Sequence, residues 1–232
     1  KARTMNSMFE GFSQETLDFM WGIRFNNEKP WFEAHKEQYR RSLADPMKAL
    51  GHQVYDAFTA QHKDLDLVCR VSRIYRDARR LHGQGMFKDH LWFSMERPVE
   101  DWMTTAVLWF ELGPEGYSHG LGYYYAKPIT MAKFRARLDR DPKPFEKLVR
   151  AFNKQSRFRL DGEDYKRPKG ECSKLLAPWY NKKGFSLVGD GPCSGVVFTP
   201  ELAELLLQDF EFLLPFYKYL STIDSDPDPR EA

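Results

Sequence analysis

The chain is poor in cysteine: Cys69, Cys172 and Cys193 are odd in number, far apart, and form no Cys-x-x-Cys pair. That excludes a disulfide-stapled secreted domain and a structural zinc site, and it implies three free thiols in a reducing, cytoplasmic setting. Long apolar runs are missing as well. A membrane span needs roughly 20 apolar residues, and the most apolar stretch, Leu202 to Leu220, carries Glu204, Asp209, Glu211 and Lys218. No membrane attachment is expected. Lys1-Ala2-Arg3-Thr4-Met5 leads into no apolar signal-peptide core; with Met5 as the start, the first four residues would be foreign to the protein. Neither sign of charge dominates: 35 basic against 33 acidic residues leave +2, so the basic excess that drives nucleic-acid binding is absent and nucleic acid is not a favoured partner. The chain also lacks a Gly-x-x-x-x-Gly-Lys-Ser/Thr loop for nucleotide phosphates and a Gly-x-Ser-x-Gly elbow for a serine hydrolase. His119-Gly120-Leu121-Gly122 has the wrong spacing for a dinucleotide fingerprint. The histidines supply no His-x-His or His-x-x-x-His pair, so neither a metal nor another cofactor is expected.

What is present is apolar and aromatic residue in quantity, 42% and 15% of 232 residues. This is enough for a sizeable core, and the length suits one domain over residues 1–222. Ser13, with Phe12 before it and Leu17 after, starts a helix with a stripe of Leu17, Met20 and Trp21. Asn26-Asn27 breaks it and caps a second helix with Pro30 in its first turn and Phe32, His35, Tyr39 and Leu43 as inner stripe. Asp45-Pro46 stops that helix and starts a third through Met47, Leu50, Val54 and Phe58, so residues 13–62 read as helical. Residues 65–126 read as a sheet: Leu65 to Tyr75, Leu91 to Glu96, Ala106 to Leu112 and Gly120 to Tyr125, with Gly113-Pro114-Glu115-Gly116 as the clearest turn. Short links between four strands imply an antiparallel meander.

Helices return over residues 130–155, with Thr130 as N-cap, Phe134 and Leu138 inward, a restart at Asp141-Pro142, and a stripe of Phe145, Leu148, Val149 and Phe152. Residues 156–198 read as loop and short strands: a hairpin from Arg157 to Lys169 hinged at Asp161-Gly162, with weak strand signals at Phe185–Val188 and Val196–Phe198. Thr199-Pro200-Glu201 opens a C-terminal helix over 200–220 that Pro215 should end or kink. The Asp- and Pro-rich tail, 223–232, should be disordered. The fold class expected is α+β: an antiparallel meander sheet packed by N-terminal helices and a C-terminal helix.

The most unusual electrostatics lie in Arg73-Ile74-Tyr75-Arg76-Asp77-Ala78-Arg79-Arg80, four arginines and one aspartate in eight residues. That stretch, with Asn26-Asn27-Glu28-Lys29-Pro30-Trp31-Phe32 and the later Lys36 and Tyr39, resembles a widespread bacterial family, domain of unknown function 2461. Gly122-Tyr123-Tyr124 and Gly162-Glu163-x-Tyr165-Lys166-Arg167-Pro168 fit the same order, so the resemblance covers nearly the whole chain. It implies the fold rather than an activity, and it singles out Arg73, Arg76, Asp77 and Arg79. The family pattern continues with Phe, Asp or Asn, Lys and Tyr where this chain has Arg80, Gly83, Gln84 and Phe87; chemistry resting on those residues would be altered here.

On a strand, Arg73, Tyr75, Asp77 and Arg79 would share one face. Asp77 can hold one guanidinium by a bidentate bond and leave the others to grip an anion. The blander alternative is an ion-pair network, reaching Glu28 or Glu33. The candidate ligand-binding set is Arg73, Arg76, Asp77, Arg79, Lys88 and His90, and the ligand a small phosphate- or carboxylate-bearing molecule. The alternatives are an enzyme with Asp77 or His90 as general acid–base and a partner-binding scaffold. His82 and His119 read as packed or solvated. Tyr123-Tyr124-Tyr125, with Trp92 and Trp109, reads as core or as a stacking platform for bases or sugars. The basic loop Lys166-Arg167-Pro168-Lys169 reads as solvated or as an extension of the arginine patch.

Overall fold

The computed structural model describes residues 8–77, 79, 83 and 85–231. It is an α+β protein. Contacts gather into two compact units, one of Lys1–Met95, Trp109–His119 and Asp190–Gln208, the other of Glu96–Leu108, Gly120–Gly189 and Asp209–Ala232.

In the first unit α1 (Gln14–Phe25) follows Ser13 at the N-cap, whose amide donates to the Thr16 hydroxyl at 3.0 Å. Leu17, Phe19, Met20 and Ile23 are its buried face. Trp21, expected in that stripe, is 37% exposed and stacks on Phe25. The second expected helix is broken into α2 (Lys29–Ala34) and α3 (Lys36–Tyr39) at His35, which leaves helical geometry (φ −111°, ψ 12°) and stacks its ring on Trp31. Glu28, not Asn26-Asn27, stands at the N-cap of α2. The expected stop at Asp45-Pro46 is absent: a π-turn, Arg40–Ala44, leads straight into α4 (Asp45–Gln61). Pro46 has no amide for the Ser42 carbonyl one turn back, and the Thr16 hydroxyl donates to that carbonyl instead, at 2.7 Å. The α4 stripe of Met47, Leu50, Val54 and Phe58 is fully buried.

The sheet has six antiparallel strands in the order β1-β2-β3-β4-β6-β5, with β1 at Val68–Val71, β2 at Leu91–Glu96, β3 at Ala106–Leu112, β4 at Gly116–Tyr123, β5 at Arg159–Asp161 and β6 at Ser186–Pro192. The first four form the expected meander. Phe93 of β2 packs under α4, where a Cβ on Gly51 would lie 3.1 Å from its ring. β4 begins at the turn itself, at Gly116 instead of Gly120. The expected 157–169 hairpin does not form. β5 pairs with β6, Arg159 opposite Val188 and Asp161 opposite Ser186. Gly162 (φ +132°) is there for closeness: a Cβ on it would sit 2.2 Å from the Gly184 carbonyl oxygen. The weak strand signal at Val196–Phe198 is a 3-10 turn, Gly195–Phe198.

In the second unit α5 (Pro128–Arg140), α6 (Lys143–Phe152) and α7 (Ala177–Tyr180) surround rings of Phe134, Phe145, Trp179 and Phe216, with successive centroids 5.1, 5.2 and 5.8 Å apart. Lys127, not Thr130, precedes α5; Thr130 is buried, and its hydroxyl donates to Asp224. α8 (Glu201–Leu220) runs through Pro215 without ending, because that residue faces outward while Leu213, Leu214, Phe216 and Tyr217 are buried. The segment after it, expected to be disordered, makes a 3-10 turn at Ile223–Ser225 with Ile223 fully buried, and Arg137 pairs with Asp226. No helix among the described residues is long and apolar enough to cross a membrane.

Candidate functional site

The described start of the arginine-rich stretch, Arg73 to Arg76, continues the pairing of β1 and β2 outward. The Ser72 amide donates to the Trp92 carbonyl at 2.8 Å, and the Trp92 amide donates to the Ser72 hydroxyl at 3.0 Å. Further out, the Arg76 amide donates to Met86 at 2.9 Å, the Lys88 amide donates to Ile74 at 2.7 Å, and Tyr75 bridges Phe87. Ser72 thus opposes Trp92 and Ile74 opposes Lys88, which leaves Arg73 facing three residues, Asp89 to Leu91. Two extra residues form a bulge, a device that re-aims side chains; Asp89 and His90 are the ones re-aimed.

Asn27 fixes the outer rung. Its side-chain amide donates to the Phe87 carbonyl and its side-chain oxygen accepts from the Phe87 amide, both at 2.9 Å. Phe32 stacks on the Phe87 ring at 4.5 Å, and Tyr75 lies 5.2 Å from that ring. Gly85 is required beside this clamp, since a Cβ there would fall 2.2 Å from the Asn27 side chain. The two stretches singled out in the sequence therefore meet.

The structure separates the six candidate residues. Arg73 is exposed, and Arg76 is half-buried with its Nε donating to the Phe87 carbonyl at 3.1 Å. Lys88 is half-buried, its ammonium 5.8 Å from the Trp92 ring centre. Burial, then the fields of Arg76 and Arg73, push the Lys88 pKa down; Glu111 opposes them. Among the described residues, no carboxylate forms an ion pair with Arg73, Arg76 or Lys88. Asp77 and Arg79 leave the expected strand face and close on each other: Arg79 donates its amide and Nε to Oδ1 (3.0 and 3.1 Å) and an Nη to Oδ2 (2.9 Å). Arg79 is otherwise solvated, 88% exposed. Glu33 pairs with Lys36.

His90 faces an open cleft of about 450 Å³ whose walls include Arg24, Asp89, Glu111, Glu115 and Asp190. Asp89 is held from two sides. Its Oδ1 accepts from His90 Nδ1 at 2.9 Å, and its Oδ2 accepts from Arg24 Nε. Burial raises the Asp89 pKa, but the hydrogen bonds from His90 and Arg24 outweigh it, and the carboxyl stays below its ordinary value. Arg24 also forks onto Glu115, at 3.0 Å from Nη2 to Oε2; that bond lowers the Glu115 pKa and, with Asp89, raises that of Arg24. An ionised Asp89 on Nδ1 leaves His90 Nε2 as the acceptor.

The family model described as a conserved hypothetical protein, domain of unknown function 2461, matches residues 15–219. The chain belongs to this family. A search of curated proteins gives no match. In this member of domain of unknown function 2461, both the Asn27 clamp and the bulge fall inside the matched range.

The sequence does not mark Arg24, Asp89, Glu111 or Glu115 as residues of a site, and Glu115 reads only as part of a turn. The adjacent Asp89-His90 was a usable signal. Nothing in the sequence joins Arg24 to partners 65 and 91 positions away. Arg80, His82 and Gln84 lie outside the described residues. His119 is buried in β4. Tyr123 is core, whereas Tyr124 and Tyr125 are exposed.

Proposed function

We propose that this protein binds a small anion, phosphate- or carboxylate-bearing, through Arg73, Arg76 and Lys88. The observation that carries the reading is a half-buried Lys88 lying in the fields of Arg73 and Arg76, with Glu111 opposing them only at a distance and no carboxylate among the described residues in an ion pair with any of the three. An anion relieves that repulsion, and a guanidinium fork suits phosphate or carboxylate oxygens. Arg79, engaged by Asp77, is a bystander. A group of three cations on a chain of net charge +2 fits a small ligand better than a nucleic acid. That Cys69, Cys172 and Cys193 form no disulfide fits a cytoplasmic protein. Calorimetry with sulfate, inorganic phosphate and citrate is the test. Binding that weakens at least roughly tenfold in Arg73→Ala and in Lys88→Met is expected. Absence of heat for all three anions, or unchanged affinity in both variants, sinks the reading.

A second reading has its own support: His90 as a general base, oriented by Asp89 over an open cleft. Asp77 has no such case, since both its oxygens are bonded to Arg79 and it does not line the cleft. An ester- and phosphoester-hydrolysis panel tests it, with turnover abolished in His90→Gln as the supporting result and no turnover by the wild type as the opposing one.

A further inference from the structure

A second cleft, of about 480 Å³, lies at the end of β4, within the size range of small-molecule sites. Its walls carry Tyr124 and Tyr125, 72% and 62% exposed, with Asp161, Glu163, Lys183 and Ser186 around them. These two neighbouring tyrosines are open, whereas Tyr123, one residue earlier, is buried and meets Phe185 edge-on. The polypeptide fixes the pair from behind. The Tyr125 amide donates to the Met103 carbonyl at 2.9 Å, and a Cβ on Gly184 would come 2.7 Å from that of Ala126, so the backbone under the rings is closely packed.

Charge selects among ligands with a stackable face. Glu163 accepts from the Lys183 ammonium at 2.8 Å, and Asp161 accepts from the Gly162 amide at 2.8 Å and lies 3.8 Å from the Arg159 guanidinium. Among the described residues the cations at this cleft are thus already matched by carboxylates, and a phosphate would have to compete with Asp161 and Glu163 for them. It offers carboxylate oxygens and the Ser186 hydroxyl as hydrogen-bonding groups, beside ring faces whose negative quadrupole attracts polarised C–H groups. We infer that the Tyr124–Tyr125 cleft binds a neutral carbohydrate, its C–H face on the tyrosine rings and its hydroxyls donating to Asp161 and Glu163.

Saturation-transfer NMR and calorimetry of the full chain with maltotriose, cellotriose, chitotriose and mannotriose test this, with adenosine and AMP as controls. At least one trisaccharide should bind with its ring C–H protons saturated, and Tyr124→Ala and Tyr125→Ala should each weaken it roughly tenfold. Glu163→Gln, which loses charge but keeps the ring faces, should weaken it less. Because both tyrosines are exposed, the variants should melt like the wild type. Failure of all four sugars to bind, adenosine or AMP binding as well as the best sugar, or affinity indifferent to both tyrosine substitutions overturns the inference.

Discussion

Asn27 does at the scale of one residue what a strand partner would do, offering a donor and an acceptor to the two backbone groups of Phe87. A part-buried pair of this kind is worth about 2 kcal/mol, at roughly 1 kcal/mol per bond. Asn27→Ala should lower the unfolding free energy by about that amount in a urea titration. Asn27→Asp keeps the acceptor for the Phe87 amide but sets a carboxylate oxygen against its carbonyl, so it should cost at least as much as Asn27→Ala. A loss near zero for Asn27→Ala would mean that the Phe32–Phe87–Tyr75 ring stack alone holds the hairpin. The residue was visible in the sequence for a different reason. Its position after the first helix suggested a cap, since asparagine is a good N-cap. Its side chain instead reaches 60 positions along the chain, and no local rule contains that distance. Asp77 shows the reverse: its bond to Arg79 is local, and a bidentate Asp–Arg contact was foreseen from composition, though the strand geometry around it was not.

Among elements, α5 is tied to the segment after α8 by Thr130, Lys133 and Arg137, of which Arg137 makes the most bonds. Arg137 donates Nε and Nη2 to the two oxygens of Asp226 (2.6 and 2.8 Å) and Nη1 to the Tyr219 carbonyl and Thr222 hydroxyl (both 2.9 Å). The bond from Arg137 holds the Asp226 carboxyl below its ordinary value. A carboxylate whose folded pKa is depressed gives stability that is full above the unfolded value, near 4, and is lost as pH falls through the lowered folded value. Arg137→Met should lower unfolding free energy at pH 7 by on the order of 2 kcal/mol, and the difference between variant and wild type should shrink as pH falls below about 4. Thermal melts of both proteins from neutral to acid pH check this; a constant difference across that range would refute the ionic origin. The tail was expected to be disordered because its Asp and Pro content is that of solvated chain, and the cation that orders it sits 89 positions away. The same reason separates the strands that were legible from those that were not. Leu91–Glu96 and Ala106–Leu112 carry their apolar patterns within themselves and matched to the residue. β5, three residues long, exists only through β6, so Asp161-Gly162 resembled a turn when its glycine marks a close pass.

Taken over the whole chain, positive and negative charge nearly cancel, leaving +2. General repulsion is then small, and the electrostatics with consequences are local. Arg73, Arg76 and Lys88 are the case that can be titrated. Burial and the two guanidinium fields lower the Lys88 pKa from the ordinary 10.5. Between the lowered value and 10.5 the unfolded chain binds the lysine proton more tightly than the folded one, so folding gains stability as pH rises through that window. Anion binding has the opposite sign, because it needs the ammonium. Sulfate keeps its charge throughout the alkaline range and isolates the lysine. Its affinity should fall as pH rises before 10.5 is reached, and binding should draw a proton from buffer within the window. Arg73→Ala removes one of the repelling fields, so the fall should move to higher pH even though overall affinity is weaker. Raising sodium chloride from about 0.05 to about 0.5 M should weaken sulfate binding at neutral pH through screening and competition, with little change in melting temperature of the ligand-free protein. Sulfate titrations at a series of pH values and two salt concentrations, read by calorimetry in buffers of different ionisation enthalpy, give the binding quantities, and a thermal melt at each salt concentration gives the last. Affinity that holds flat up to the ordinary lysine range, or that is as strong in Lys88→Met as in the wild type, would remove Lys88 from the site and leave the arginines as a structural cluster.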